Sequence, residues 1–170
     1  MAIWTSGQGG VPRPYGQGGR KVVLPVKAAV FIAMGALVAL INGACVPATT
    51  AGAGDVIGVA EHDMLGGAAD GTTRITVLTD QIFVYPAGVA APTDFTPFGS
   101  LLFCEDDHTI GTGGLGATQV IAGRFVGIED DNTVRVFISE AGAGDSPGAR
   151  ANQVAGTNIA NTAASTVQRG

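Results

Sequence analysis

The sequence predicts an all-β protein, a small β-barrel or sandwich body with extended N- and C-terminal arms. Three observations predict it. Short runs rich in β-branched and aromatic residues recur through the middle of the chain, with turn signals between them. Glycine and proline are abundant, Gly 27 and Pro 8 in 170 residues, against a usual combined share of roughly 12%. Charged residues supply only 14%, which disfavours long helices and coiled coils. With 46% hydrophobic residues the chain has the apolar content to fold, and its length suits one body with tails better than two independent cores.

Taken in order, residues 1–20 are Gly-, Gln- and Pro-rich, with Trp4 and Tyr15 as isolated aromatics, and cannot bury enough surface to order themselves. Residues 1–27 read as an extended N-terminal arm, 28–140 as the β-rich domain and 141–170, made of Ala, Gly, Asn, Thr and Ser without an aromatic, as a polar C-terminal arm. Within the body, Ala36–Ile41 is a strand closed by Asn42-Gly43, a strong hairpin dipeptide. Asp55–Glu61 is the next candidate. Arg74–Thr79 and Gln81–Tyr85 both alternate, with Asp80 as a bulge or bend between them and Pro86 as the stop. Pro92 and Pro97 bracket a loop before a short buried strand over Gly99–Cys104. Val120–Ile128 and Thr133–Ser139 flank Glu129-Asp130-Asp131-Asn132 as a long hairpin. No internal repeat of fixed period is evident.

The apolar stretch Ala28–Ile41, preceded by Arg20, Lys21 and Lys27, mimics a signal peptide. It falls short of the roughly twenty apolar residues of a membrane span. Asn42-Gly43-Ala44-Cys45 matches a lipoprotein cleavage box only loosely, because Asn42 stands where an aliphatic residue belongs. Ala, Met and Leu in this stretch would equally support a short buried helix, but Val30, Phe31 and Val38 favour strand.

Charge is unevenly spread. Residues 1–27 hold Arg13, Arg20, Lys21 and Lys27 and no acid, whereas residues 28–140 hold thirteen acids against Arg74, Arg124 and Arg135. An acidic body is a poor nucleic-acid binder, since phosphate neutralisation needs a dense basic surface on the folded part. The basic arm suits an acidic protein surface. Arg150 and Arg169 give the C-terminal arm a weaker positive character. Trp4 and Tyr15 are natural anchors for a partner's pockets.

Chemical motifs are thin. Gly111-Thr112-Gly113-Gly114-Leu115-Gly116 satisfies a dinucleotide-binding pattern, but it leads into Val120–Val126, a strand sequence, where the chemistry needs a helix N-terminus. Glu61-His62-Asp63 and Glu105-Asp106-Asp107-His108 are clusters of titratable residues at the ends of apolar runs, where solvated turns belong. Two histidines cannot build a three-histidine metal centre, although Asp106 with Asp107, or Asp130 with Asp131, offer oxygen ligands of the kind calcium takes. Cys104 and His108 lie across a strand end, a spacing that does not join them as nucleophile and base. Cys45 and Cys104 allow at most one disulfide, and both sit in apolar surroundings where a thiol acts as a small buried hydrophobe. No catalytic, cofactor or metal site is expected from these residues.

The order of features nevertheless resembles a known family. Gly35-Ala36-Leu37-Val38-Ala39-Leu40, Asn42-Gly43 and Val46-Pro47-Ala48 are followed by Gly58-Val59-Ala60-Glu61 and a loop over Asp63–Gly71. Then come Ile75–Tyr85, Gly99–Thr109 with its Asp-Asp turn, and Val120–Ile138. This sequence of strands and turns is similar to the small capsid cement, or decoration, proteins of tailed bacteriophages, over about residues 28–140. The resemblance implies a β-rich, non-enzymatic structural protein made in the host cytoplasm. It would bind the major capsid protein on the outer surface of the virion and self-associate, as a homotrimer. No cofactor, nucleic acid or membrane is implied. The long N-terminal arm and polar tail depart from that pattern. Candidate partner-binding residues are Trp4, Arg13, Tyr15, Arg20, Lys21, Arg150 and Arg169. The alternative from another class is a head fibre or adhesin base presenting a host-binding surface.

Overall fold

The computed structural model describes residues 11–12, 19–113, 120–130 and 132–139. The strands run β1 (Val11–Pro12), β2 (Arg20–Pro25), β3 (Phe31–Ile32), β4 (Leu37–Ile41), β5 (Ala44–Pro47), β6 (Gly58–Ala60) and β7 (Met64–Leu65). They continue with β8 (Arg74–Thr79), β9 (Gln81–Pro86), β10 (Leu101–Cys104), β11 (Ile110–Gly111), β12 (Ile121–Asp130) and β13 (Thr133–Ile138). Among the described residues there is no helix, as expected of an all-β chain. The first sheet has the order β2-β8-β6-β4-β5, the second β1-β9-β13-β12-β10-β11, and β3 pairs with β7 in a two-stranded ribbon.

Local sequence explains the elements. Asn42 and Gly43 both take positive φ, 51° and 83°, which the tight β4–β5 hairpin needs and which these two residue types tolerate. Asp80, at φ 55°, is the single residue over which the chain leaves the first sheet and enters the second. The stretch Ala28–Ile41 forms β3 and β4, with Ile32, Leu37, Val38 and Ala39 buried, so the signal-like segment is core.

One boundary moves. The expected arm ended at residue 27, but Arg20–Pro25 is a strand of the body, paired along its length with β8 from Arg20–Thr79 to Pro25–Arg74. Val22 and Leu24 are half-buried while Lys21 and Val23 are exposed; the run of bases obscured this alternation. Val11–Pro12, also within the expected arm, pairs with Val84 and Phe83 of β9.

The larger difference is an internal duplication. In chain order, the five main strands of the first sheet (β2, β4, β5, β6, β8) and of the second (β9, β10, β11, β12, β13) are laid side by side in the same sequence, first-fifth-fourth-second-third. Each sheet curls until a single parallel bridge joins its third strand to the residue after its first, Val26 to Cys45 and Ala87 to Ile110. Registers coincide as well. Leu37 pairs with Val59 and Val59 with Leu78, as Leu101 pairs with Arg124 and Arg124 with Phe137. The Gly35 amide donates to Ala60 O and the Gly99 amide to Phe125 O, each at 2.8 Å, and both glycines have φ near 80°. We call residues 20–79 the first module and residues 81–138 the second.

Gly58 and Gly123 mark the same point in each module. A Cβ on Gly58 would lie closer than 3.0 Å to Leu78 O and a Val77 methyl, and one on Gly123 closer than 3.0 Å to Phe137 O and a Val136 methyl. No fixed period is visible in the sequence because equivalent residues drift in spacing. Pro25 and Pro86 stand sixty-one apart, Gly58 and Gly123 sixty-five, Val77 and Val136 fifty-nine.

Two cores result. Val26, Ile32, Ala36, Val38, Cys45, Ala60, Ile75 and Val77 fill the inner face of the first module, under the β3–β7 ribbon. Leu37, Ala39 and Val59, on the opposite face of that sheet, pack with Phe83, Tyr85, Leu102, Phe125, Val134 and Val136 of the second module's inner face. The Tyr85 hydroxyl, buried in this second core, donates to Gly35 O at 2.6 Å and so ties the modules together. Because a methyl at either glycine meets carbonyl oxygen rather than a flexible side chain, Gly58→Ala and Gly123→Ala should each destabilise the protein by about 1–3 kcal/mol. Urea unfolding of the two variants, with similar losses in both, is the check.

Candidate interaction surface

Among the described residues, four of the eight exposed large apolar side chains follow the duplication. Counting back four and one from the turn glycines gives Phe31 and Met34 before Gly35, and Phe95 and Phe98 before Gly99. Phe31 and Met34 are 55% and 51% exposed, Phe95 and Phe98 94% and 80%. Exposing a phenylalanine at one position is unremarkable, but repeating it at equivalent positions in two different surroundings is a property of the module. In the first module Leu65, the cross-strand partner of Phe31, extends the apolar tip. Sequence reading left Phe95 in the loop between Pro92 and Pro97, gave Phe98 no element and counted Phe31 towards a strand; two phenylalanines spaced around Pro97 were the available signal.

The acidic cluster Glu105–His108 serves the loop that carries the second tip. Glu105 accepts the Val89 amide on Oε2 at 2.6 Å and the Ala90 amide on Oε1 at 2.8 Å. Its carboxylate fills the space beside Gly88 and Gly111, where a Cβ on either would clash. Asp106 Oδ1 accepts the His108 amide and Asp107 Oδ1 meets His108 Nδ1, both at 2.6 Å, which closes the turn on itself. Ligand-type atoms of Asp106, Asp107 and His108 lie within 4.8 Å of one another, but their contacts are those of a turn. Asp131, the other half of the second expected cation pair, lies outside the described residues.

The other cluster is also structural. Glu61 pairs with Lys21, the Asp63 carboxylate accepts the Met34 amide at 2.6 Å, and His62 lies against Asp63 O and the Thr76 amide. A depression of about 180 Å³ is lined by Ala48, Thr49, Thr50, Gly52, Ala53, Cys104, Glu105 and Val120. Neither histidine lines it. Of the Gly111–Gly116 pattern, Gly111 ends β11 and residues 114–116 lie outside the described residues; the next described element is the strand β12.

Both thiols are free and buried. Burial pushes Cys45 up from 9.0 to about 12. Burial, then the charges of Asp106, Asp55 and Asp107, push Cys104 up as well. Neither is a nucleophile near neutral pH. Asp55 is raised by burial and partly restored by the Ile121 amide, which it accepts at 3.2 Å across the module boundary.

Of the expected partner-binding residues, Arg20 and Lys21 lie exposed on β2, and each has an acid of the body beside it, Asp80 at 3.8 Å and Glu61. Lys27 lies 3.5 Å from Asp70. The basic character of this segment is therefore largely matched within the chain. Trp4, Arg13, Tyr15, Arg150 and Arg169 lie outside the described residues. No protein-family model matches the chain, and no curated protein matches it.

Two measurements check this account. Glu105→Ala should raise amide exchange at Val89 and Ala90 by about tenfold or more, without global unfolding, since hydrogen bonds to a charged group contribute about 1.5–3 kcal/mol. Unfolded cysteines ionise near 9.0 while Cys45 holds its proton to about 12. Unfolding thus releases protons in that window, and stability should fall as pH rises through it. Urea midpoints of the wild type and a Cys45→Ala/Cys104→Ala variant between pH 7 and 11 read this out, the variant falling less steeply.

Proposed function

We propose that this chain is a capsid cement protein of a tailed bacteriophage. It binds the outer surface of an assembled head and stabilises the shell by bridging neighbouring capsid subunits, without enzymatic activity, cofactor, nucleic acid or membrane. The observation that supports the reading best is the pair of equivalent apolar tips, Phe31 with Met34 and Phe95 with Phe98, on a duplicated β scaffold.

The physical argument is multivalency. A shell built of identical subunits offers the same site many times, and a duplicated binder offers the same type of contact twice. Once one tip has engaged, the other binds at high effective concentration, so two weak apolar contacts hold firmly. Aromatic side chains entering pockets are the usual source of such contact energy. The arms, with Trp4 and Tyr15 as anchors and Arg13, Arg150 and Arg169 as charges, extend the same principle to more distant subunits. The clusters at Glu61 and Glu105 take no part; they hold the turns that carry the tips.

Quantitative densitometry of purified particles tests the reading. A copy number near that of the main shell protein is expected. A handful of copies per particle would instead fit a head fibre or adhesin base, and complete absence would refute both. A Phe95→Ser/Phe98→Ser variant should attach at least about tenfold more weakly, with its fold intact by circular dichroism.

A further inference from the structure

We propose that the open edge of β2 takes residues 151–159 of the chain's own C-terminal segment as an added strand. The backbone register shows where that edge lies. The Val26 amide donates to Thr73 O at 3.0 Å, so along the β2–β8 ladder Leu24, Val22 and Arg20 bond to β8, while Lys21 and Val23 turn their amides and carbonyls away from it. From Val26 onward the edge is closed by β5, through the Val26–Cys45 bridge and the Lys27 amide on Cys45 O at 3.1 Å. Among the described residues, no strand pairs with the edge at Lys21 and Val23.

The second module shows what this edge accepts. Pro25 and Pro86 are equivalent, which aligns Val23 with Val84. The Ala87 amide donates to Asn132 O at 2.7 Å, so by the same ladder argument Val84 turns its amide and carbonyl away from β13. There it pairs with Val11 of β1, and Pro12 falls opposite Phe83, whose amide and carbonyl face β13, so its missing N–H breaks no bond. With β1 in place Val84 is 3% exposed; Val23, without a counterpart, is 55% exposed.

The path of the chain selects the occupant. Ile138, at the end of β13, lies opposite Gln81, and a Cβ on Gly19 would come closer than 3.0 Å to the Gln81 side chain. The chain beyond residue 139 therefore starts beside the head of β2. Residues 140–145 match the six residues of β2 in length, and Ser146-Pro147-Gly148 is a turn signal. A return over 151–159 is then antiparallel to β2, as β1 is to β9. This stretch carries Val154, Thr157 and Ile159 and no charge, which suits an edge whose bases already have Asp80 and Glu61 beside them. Other segments outside the described residues do not reach it. Residues 1–10 continue from β1 towards Pro86, away from β2, and 13–18 and 114–119 are short links between described residues. A tethered segment also competes at an effective concentration of about 1 mM, above that of a separate partner or a second copy in dilute solution. Arg150 and Arg169 flank the stretch and stay available to a shell.

The proposal stands apart from the shell reading, because its test uses the purified full chain alone. Amide exchange followed by NMR should show the Val23 amide protected to within about tenfold of Val84. Val154→Pro/Ile159→Pro should speed exchange at Val23 by about tenfold or more and leave Val84 as slow as before. The two prolines stand five apart, so one of them falls on the bonded side of the added strand in either register. They lie outside the β body, and unchanged exchange at Val84 shows that its fold survives. Exchange of Val23 at the rate of an unpaired amide in the wild type would overturn the proposal. So would protection that the prolines leave intact, or protection lost on tenfold dilution, which would put another molecule at the edge.

Discussion

The fold depends on one packing constraint: the outer face of the first sheet has to fill the inner face of the second. Leu37, Ala39 and Val59 meet Phe83, Tyr85, Leu102 and Phe125 there, and the contact is dry enough to bury the Tyr85 hydroxyl, which is satisfied by Gly35 O. A hydroxyl in that setting must find an acceptor, since burying it unpaired costs roughly 1–3 kcal/mol. The acceptor lies in the turn that begins β4, the strand supplying Leu37 and Ala39. One hydrogen bond and one apolar face thus fix both the distance between sheets and their register. The one-residue joint at Asp80 leaves the chain little freedom to place the second module elsewhere.

Duplication with unequal environments explains features that neither module explains alone. Both inner faces are built from equivalent positions: Val38 and Leu102, Ala60 and Phe125, Val77 and Val136. They are closed differently, the first by the β3–β7 ribbon and the second by the first module's outer face. That is why Phe125 stands where Ala60 does, because the space above it is bounded by another sheet rather than by the module's own ribbon. Arg124 in place of Val59 has the complementary origin. Val59 faces a filled core, whereas Arg124 faces outward and can reach Gly99 O with its guanidinium. Repeat proteins show the same pattern, in which equivalent positions diverge according to whether a neighbour stacks on them.

Much of the fold was legible in the sequence where local chemistry decides it. Asn42-Gly43 marks the hairpin, the alternation over Arg74–Thr79 gives β8 with the expected bounds, and Asp80 stands at the bend. Legibility failed where tertiary context decides. The Arg20–Pro25 strand was hidden by its bases, whose partners Asp80 and Glu61 lie in distant segments of the chain. The duplication was hidden because loops of unequal length shift the offset. What survives in both modules is scattered: Pro25 and Pro86 at strand ends, Gly35 and Gly99 at left-handed turns, Gly58 and Gly123 where a carbonyl crowds the sheet, and single apolar positions such as Leu37 and Leu101 or Val77 and Val136. A periodicity search weighs all positions alike and cannot single these out. The candidate surface was less legible still, because exposure of Phe31, Met34, Phe95 and Phe98 is a consequence of which way each turn projects from a sheet.

The two modules also act as controls on each other. Where equivalent positions differ in burial, as Leu37 and Leu101 do, the neighbour is the cause and the position carries no intrinsic signal. Where they agree despite different neighbours, the module is the cause. Phe31 belongs to a two-stranded ribbon and Phe95 to a loop held by Glu105, yet both side chains stay in water. Hydrophobic burial favours turning either inward, and neither turns. Phe31 alternates with buried Ile32 along β3, and in both modules the exposed phenylalanine stands four residues before a turn glycine with φ near 80°. Exposure of the tips is therefore set by backbone geometry that the fold requires in any case, and it supplies aromatic contact area without further conformational cost.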